Sequence, residues 1–189
     1  MQKDKIKWDK KYKENPELLA KREPSAMVKK YAPLAPKKIA LDIACGGGRH
    51  ISYLEELGFF IDGIDISSEA ISKLKDKFGK RVNLIEADLD NYEFEKDKYG
   101  LIIKANFLDR DVINRAKSAL VLGGIFVVET YVEDKLNEKS NSNPDFLLKK
   151  GELEEIFKDG FEILEYVEFQ NESYEKFRMK KAAIAAKRV

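Results

Sequence analysis

The run Lys38-Ile39-Ala40-Leu41-Asp42-Ile43-Ala44-Cys45-Gly46-Gly47-Gly48-Arg49-His50 narrows the folds open to this chain more than any other segment. An apolar strand leads into an acidic residue, and a glycine loop follows. Behind the loop an amphipathic helix begins, with Ile51, Leu54 and Leu57 on one side and Gly58 at its end. Glycines let the backbone approach a ligand closely and take angles closed to other residues. The helix N-terminus offers unpaired N–H groups to an anionic or polar ligand. An open α/β sheet starts a nucleotide-type cofactor site in this way.

Strands and helices alternate through the rest of the chain. Strands are predicted at Ile39–Ile43, Phe59–Ile64, Val82–Ile85, Leu101–Ile103 and Ile125–Val128, and two more at Phe161–Phe169 and Lys181–Lys187. Helices are predicted at Glu69–Phe78, capped by Ser67 or Ser68, at Val112–Leu120 and at Leu153–Phe157. Only Gln170 to Lys180 joins the last two strands, and that stretch is polar with no helical stripe. A parallel crossover usually needs a dozen or more residues, commonly a helix, so the final strand should run antiparallel. Residues 1–36 read as an N-terminal attachment: Ser25 caps a short helix over Ala26–Tyr31, and Pro33 and Pro36 stop it. Asn137–Asn143 is the clearest flexible loop.

A length of 189 residues suits one domain, and 43% hydrophobic content is enough for one core. Charged residues reach 37%, yet the net charge is only +1, so the electrostatic footprint of a dedicated nucleic-acid binder is missing. The lone Cys45 excludes an internal disulfide and any multi-cysteine metal site, and no metal is expected. Met1 to Lys13 is charged and unlike a signal peptide, and no apolar stretch is long enough to span a bilayer. A cytoplasmic protein is expected, a monomer or weak homodimer, with a small molecule as partner and neither nucleic acid nor membrane.

The third glycine of the G-x-G-x-x-G dinucleotide fingerprint is absent, because the helix begins Arg49-His50-Ile51. That glycine allows close packing around a pyrophosphate, so a cofactor without phosphates fits better. Asp65, ending the second strand, is placed to accept both ribose hydroxyls, or else is a solvated turn residue. Asp62 is one pleat away and the weaker candidate. Asp88 is placed to accept an exocyclic adenine amine, with the Leu89 N–H on a ring nitrogen. Asp42 either fixes the glycine loop or meets a cationic cofactor: it would repel a pyrophosphate but not a sulfonium carrying an ammonium group.

Asp42-x-x-x-Gly46-x-Gly48, Asp65 and Ala87-Asp88-Leu89, with the antiparallel last strand, resemble the class I S-adenosylmethionine-dependent methyltransferases over Lys38 to Val189. Four segments resemble the bacterial tellurite-resistance methyltransferase-like group more narrowly. They are Trp8-Asp9-x-x-Tyr12, the Asp42–His50 loop, Asn106-Phe107-Leu108-Asp109-Arg110-Asp111 and Asn143-Pro144-Asp145-Phe146-Leu147-Leu148. The resemblance implies a Rossmann-like, doubly wound, seven-stranded sheet, mostly parallel with an antiparallel last strand. It implies a helical cap or lid over residues 1–36 and an S-adenosylmethionine-binding domain over 37–189. It also implies a cofactor site of Asp42, Gly46, Gly48, Arg49, Asp65, Ile66, Asp88, Leu89 and Asn106. Asn143-Pro144-Asp145-Phe146 is similar to the Asn-Pro-Pro-aromatic tetrad of nucleic-acid amino methyltransferases. It follows the fifth strand rather than the fourth and lacks the second proline, so it reads as a loop lining the pocket.

The expected activity is methyl transfer to a small molecule by in-line displacement, with S-adenosylhomocysteine as product. A non-catalytic S-adenosylmethionine-binding module and a nicotinamide-dependent oxidoreductase are the alternatives. The pocket should open at the C-terminal ends of the strands. There Asn106 would bond cofactor or acceptor. Arg110 would hold an anionic substrate or pair with Asp109 or Asp111, and Glu129 would be a base or a structural carboxylate. Tyr131 completes the catalytic candidates. His50 reads as a hydrogen-bonded structural residue and Cys45 as a small packing residue. Trp8 and Tyr12 either staple the N-terminal segment to the domain or close over the cofactor as a lid.

Overall fold

A computed structural model describes residues 2–75, 77–139, 143–173 and 175–189. Five parallel strands come first: β1 (Ile39–Ile43), β2 (Phe60–Asp65), β3 (Val82–Glu86), β4 (Tyr99–Ala105) and β5 (Leu120–Tyr131). β6 (Phe161–Gln170) and β7 (Lys180–Arg188) complete one seven-stranded sheet in the order β3-β2-β1-β4-β5-β7-β6. β7 lies between β5 and β6 and runs antiparallel to both, as the short connection requires. The order in which strands are added reverses between β1 and β4, which stay parallel; this is the switch point where open α/β sheets bind ligands.

The central strands are apolar on both sides because helices cover both faces. On one face Leu41, Ile43, Ile102, Phe126, Val128 and Ile184 pack under α5 (Arg110–Ala116) and α6 (Glu152–Ile156). On the other face Ala40, Leu101, Ile103, Val127 and Ala183 pack under α2 (Ala26–Tyr31), α3 (Ile51–Glu56) and α4 (Ser68–Leu74). The remaining helix, α1 (Gln2–Glu14), runs against α4. The caps read from sequence are formed: Ser25 Oγ accepts the Val28 N–H, and Ser67 Oγ accepts the Ala70 N–H.

Three elements differ by more than two residues from the sequence reading. α4 stops at Leu74 rather than Phe78, because the chain turns there: the Lys77 N–H donates to the Leu74 carbonyl and the Gly79 N–H to Glu55. α5 starts at Arg110, capped by Asp109, and ends at Ala116 in a tighter turn over Lys117–Ala119. β5 is far longer than Ile125–Val128, because the chain re-enters the sheet at Leu120 through a register shift opposite Tyr99 and Leu101. The predicted loop Asn137–Asn143 lies partly outside the described residues.

Candidate active site

The loop from Ala44 to His50 leaves β1 in left-handed steps. Ala44, Gly46 and Gly48 have φ of 55°, 50° and 73°. Such angles cost little only at glycine. The Cys45 N–H donates to the Ile64 carbonyl at 2.9 Å, tying the loop to β2. Asp65 braces it further: Oδ2 accepts the Gly46 N–H at 2.8 Å and Oδ1 accepts the Ser67 N–H at 2.9 Å. Burial pushes the Asp65 carboxyl upward against these two bonds, and the nearby Asp42 and Asp9 add to the shift. Each carboxylate oxygen keeps a second lone pair for a ligand hydroxyl. Asp62, by contrast, accepts from Tyr99 Oη at 2.7 Å and Asn83 Nδ2 at 2.9 Å and faces Lys98, so it braces β2, β3 and β4.

Asp42 is 2% exposed, and its Oδ2 has no hydrogen-bond partner. His50 Nδ1 lies 3.7 Å from that oxygen, and His50 Nε2 is likewise buried without a partner. Cys45 is buried, with its thiol pushed well up by burial and then by Asp42 and Asp65, so it is no nucleophile. Among the described residues no group of three His, Cys, Asp or Glu is placed to hold a metal ion. Nor is any helix there long and apolar enough to cross a membrane.

The N-terminal segment lies over the glycine loop. Asp9 accepts from Ser67 Oγ at 2.6 Å, Ser68 Oγ at 3.2 Å and the Glu69 N–H at 3.3 Å, so it caps α4 from another helix. The Tyr12 hydroxyl stands 3.3 Å from where a Cβ on Gly46 would project. Burial and the Asp65 carboxylate push the Tyr12 phenol upward. Trp8 packs on Tyr12 with ring centroids 5.5 Å apart, and Lys11 Nζ sits 4.2 Å from the Trp8 centroid.

The remaining sequence candidates separate. Ile66 is half-buried beside Asp65, and Leu89 is buried in the α5-side core. Asp88 Oδ1 accepts the Asp90 N–H, fixing the turn after β3. Asn106 takes a φ of 58° at the end of β4 and donates its N–H to the Glu129 carbonyl at 2.8 Å. Arg110 pairs with neither Asp109 nor Asp111. Asp109 is occupied as the α5 cap and Asp111 binds Arg115, so the Arg110 guanidinium reaches Glu152 and the Asp145 and Leu147 carbonyls instead. These contacts fasten α5 to the segment before α6. Asn143 is exposed and caps the turn Pro144–Phe146 by accepting the Asp145 N–H.

Glu129 and Tyr131 belong to a cluster that the sequence reading did not assemble. Lys181 Nζ, fully buried at the start of β7, lies 2.8 Å from Glu172, 2.9 Å from Glu175 and 3.6 Å from Glu129 Oε1. Arg49 bonds Glu172 at 2.6 Å, lies 3.8 Å from Glu129 Oε1, and donates through Nε to the Glu23 carbonyl. Tyr131 Oη donates to Glu175. Burial lowers the pKa of Lys181, but its carboxylates outweigh that and hold it charged. The one available sequence signal was a charged residue at the end of an otherwise apolar strand: Glu129 after Phe126-Val127-Val128, and Lys181 before Ala182-Ala183-Ile184.

Residues 40–124 match the family described as methyltransferase domain. No curated protein sequence matches the chain. Among solved structures, TehB from Haemophilus influenzae superposes with a TM-score of 0.74 at 22% identity, over 88% of this chain and 63% of that one. An S-adenosylmethionine dependent methyltransferase from Mesorhizobium loti gives 0.68 at 17% identity, over 86% and 96%. A SAM-dependent methyltransferase from Methanosarcina mazei gives 0.70 at 17%, over 89% and 99%. The glycine loop at the switch point, the acidic strand ends and the antiparallel β7 thus sit on the Rossmann-like methyltransferase fold, and residues 40–124 carry the methyltransferase-domain sequence pattern.

Proposed function

We propose that this chain is an S-adenosylmethionine-dependent methyltransferase acting on a small molecule. The observation that carries the reading is Asp42: a buried carboxylate oxygen without a hydrogen-bond partner, one turn of loop from Gly46 and Gly48, at the switch point of the sheet. An unsatisfied buried carboxylate oxygen is costly, and a cationic ligand satisfies it where a pyrophosphate would be repelled. The residues fit the cofactor in other ways. Asp65 has lone pairs left for ribose hydroxyls. The Gly46–Gly48 loop carries no side chain of its own, so its backbone can come close to a ligand. Asp88 and Leu89 follow β3, Asn106 follows β4, Ile66 follows Asp65, and Arg49 comes directly after Gly48.

S-adenosylmethionine supplies a methyl group already activated on a sulfonium. The protein's work is therefore alignment and exclusion of water. Asp65 and the loop fix one partner; the upper ends of β4 and β5 hold the acceptor. Trp8 and Tyr12, on a helix anchored by Asp9, close the open side. A net charge of only +1 and the covered loop favour a small acceptor over a nucleic acid. The test is incubation with S-adenosylmethionine and panels of small thiols, amines and oxyanions, reading release of S-adenosylhomocysteine. Release that depends on one acceptor class supports the enzyme. Tight cofactor binding with no release from any panel leaves a binding module.

A further inference from the structure

We infer that the acceptor is a primary or secondary amine, bound as its ammonium form at Glu129; this rests on the methyltransferase reading and names the substrate class of the same site. Among the described residues, three carboxylates, Glu129, Glu172 and Glu175, meet two cations, Arg49 and Lys181, where β5 ends and β7 begins. One carboxylate is therefore in excess. The cations spend their short contacts on Glu172 and Glu175, at 2.6 to 2.9 Å. Glu129, 3% exposed, is left with contacts of 3.6 and 3.8 Å, and its Oε1 accepts no hydrogen bond.

An ammonium at Glu129 Oε1 brings both the missing positive charge and the missing donor. An anionic acceptor would add a second unbalanced negative charge in a site with little water to screen it. Both cations are already paired with carboxylates. Glu129 lies near the upper end of β5, opposite Ala105 of β4, and its backbone carbonyl accepts the Asn106 N–H, so it stands at the end of the sheet where open α/β sheets bind ligands.

The chemistry balances. The bound ammonium gives one proton to the Glu129 carboxylate and becomes a neutral amine. The nitrogen lone pair forms the N–C bond to the methyl carbon as the C–S bond breaks and its electron pair remains on sulfur. Glu129 then releases its proton to water, and the N-methylammonium leaves. Glu129 thus acts as amine ligand and proton acceptor.

The test uses the full chain saturated with S-adenosylhomocysteine and followed by amide NMR. It is titrated with small amines and with carboxylates and thiols of the same carbon skeletons. Amines should shift the signals of Glu129, Glu172 and Lys181, and the others should not. Glu129→Gln should weaken amine binding at least ~10-fold, as should Glu175→Gln, a half-buried change that keeps the variant folded if the first does not fold. Affinity for S-adenosylhomocysteine should hold in both. Methyl transfer to the bound amines should fall about 100-fold in Glu129→Gln, the scale of a lost general base. Carboxylates or thiols binding there as well as amines, amine binding indifferent to both variants, or no amine at the cluster overturns the inference and leaves the methyltransferase reading standing. Failure of the wild-type chain to bind S-adenosylhomocysteine removes both.

Discussion

Replacing Lys104 with Met should stabilise the protein at pH 6 and leave it about as stable as the original at pH 10. Lys104 is fully buried near the top of β4, on the α5 side of the sheet. Its Nζ donates to the Phe107 carbonyl and lies 4.3 Å from the Phe107 ring centroid. Burial pulls its pKa from 10.5 to about 7; Asp109 opposes the shift and Arg110 adds to it. In the unfolded chain the amine is an ordinary lysine. Between about pH 7 and 10.5 the unfolded state holds a proton that the folded state has lost, so this group makes stability rise with pH across that window. Below pH 7 both states are charged, and the full cost of the buried charge is present. At about 1.4 kcal/mol per pH unit, that cost is roughly 5 kcal/mol. Met keeps the length, removes the charge and forfeits one hydrogen bond worth about 1 kcal/mol. The variant should therefore be more stable by about 4 kcal/mol at pH 6 and about equal in stability at pH 10, where the mostly protonated unfolded lysine still leaves about 0.8 kcal/mol of the cost to offset the lost hydrogen bond. Urea unfolding of both proteins from pH 6 to 10 measures the difference, and subtraction cancels groups that titrate elsewhere. A difference that does not change with pH, or a weaker Met variant at pH 6, refutes the reasoning.

Three further outcomes follow from the N-terminal helix and the loop contacts. Trp8 is the only tryptophan, so its emission should change on saturation with S-adenosylhomocysteine. Deleting residues 1–20 should weaken that binding while far-UV circular dichroism still reports the sheet; unchanged emission and affinity would make the segment a staple. Gly47→Ala would place a Cβ 2.8 Å from the Leu19 Cα, backbone that cannot swing aside, and should cost about 1–3 kcal/mol in thermal or urea unfolding. Arg110→Ala should cost no more than about 1–2 kcal/mol, since its pair with Glu152 is partly solvated, and should leave acceptor KM unchanged. A KM rise confined to anionic acceptors would return Arg110 to the substrate site.

The fold was legible because its signals are local. The glycine run fixes the turn after β1, serines mark helix starts, and the length of 170–180 sets the direction of β7. Asp65 was legible for the same reason, as a carboxylate ending an apolar strand. What escaped depends on contacts distant in sequence. Asp9 stood inside a quoted motif, yet its role as a cap for α4 appears only when α1 crosses a helix some sixty residues away. Arg110 had two acids adjacent in sequence, but helix geometry spends Asp109 on the cap and turns Asp111 to Arg115. Lys181 and Glu172 meet Arg49 because β7 folds back beside β5, and no periodicity carries that. Lys104 broke an apolar run and was passed over as part of a strand.

The measurement closest to the central claim is calorimetric titration of the full chain with S-adenosylhomocysteine and, separately, with NAD. The account predicts one site of micromolar affinity for S-adenosylhomocysteine and no measurable heat from NAD. Asp65→Ala should lose a charge-assisted ribose contact of about 1.5–3 kcal/mol, a fall in affinity of about 10- to 150-fold. NAD binding in its place, or S-adenosylhomocysteine affinity untouched in a folded Asp65→Ala, would contradict it.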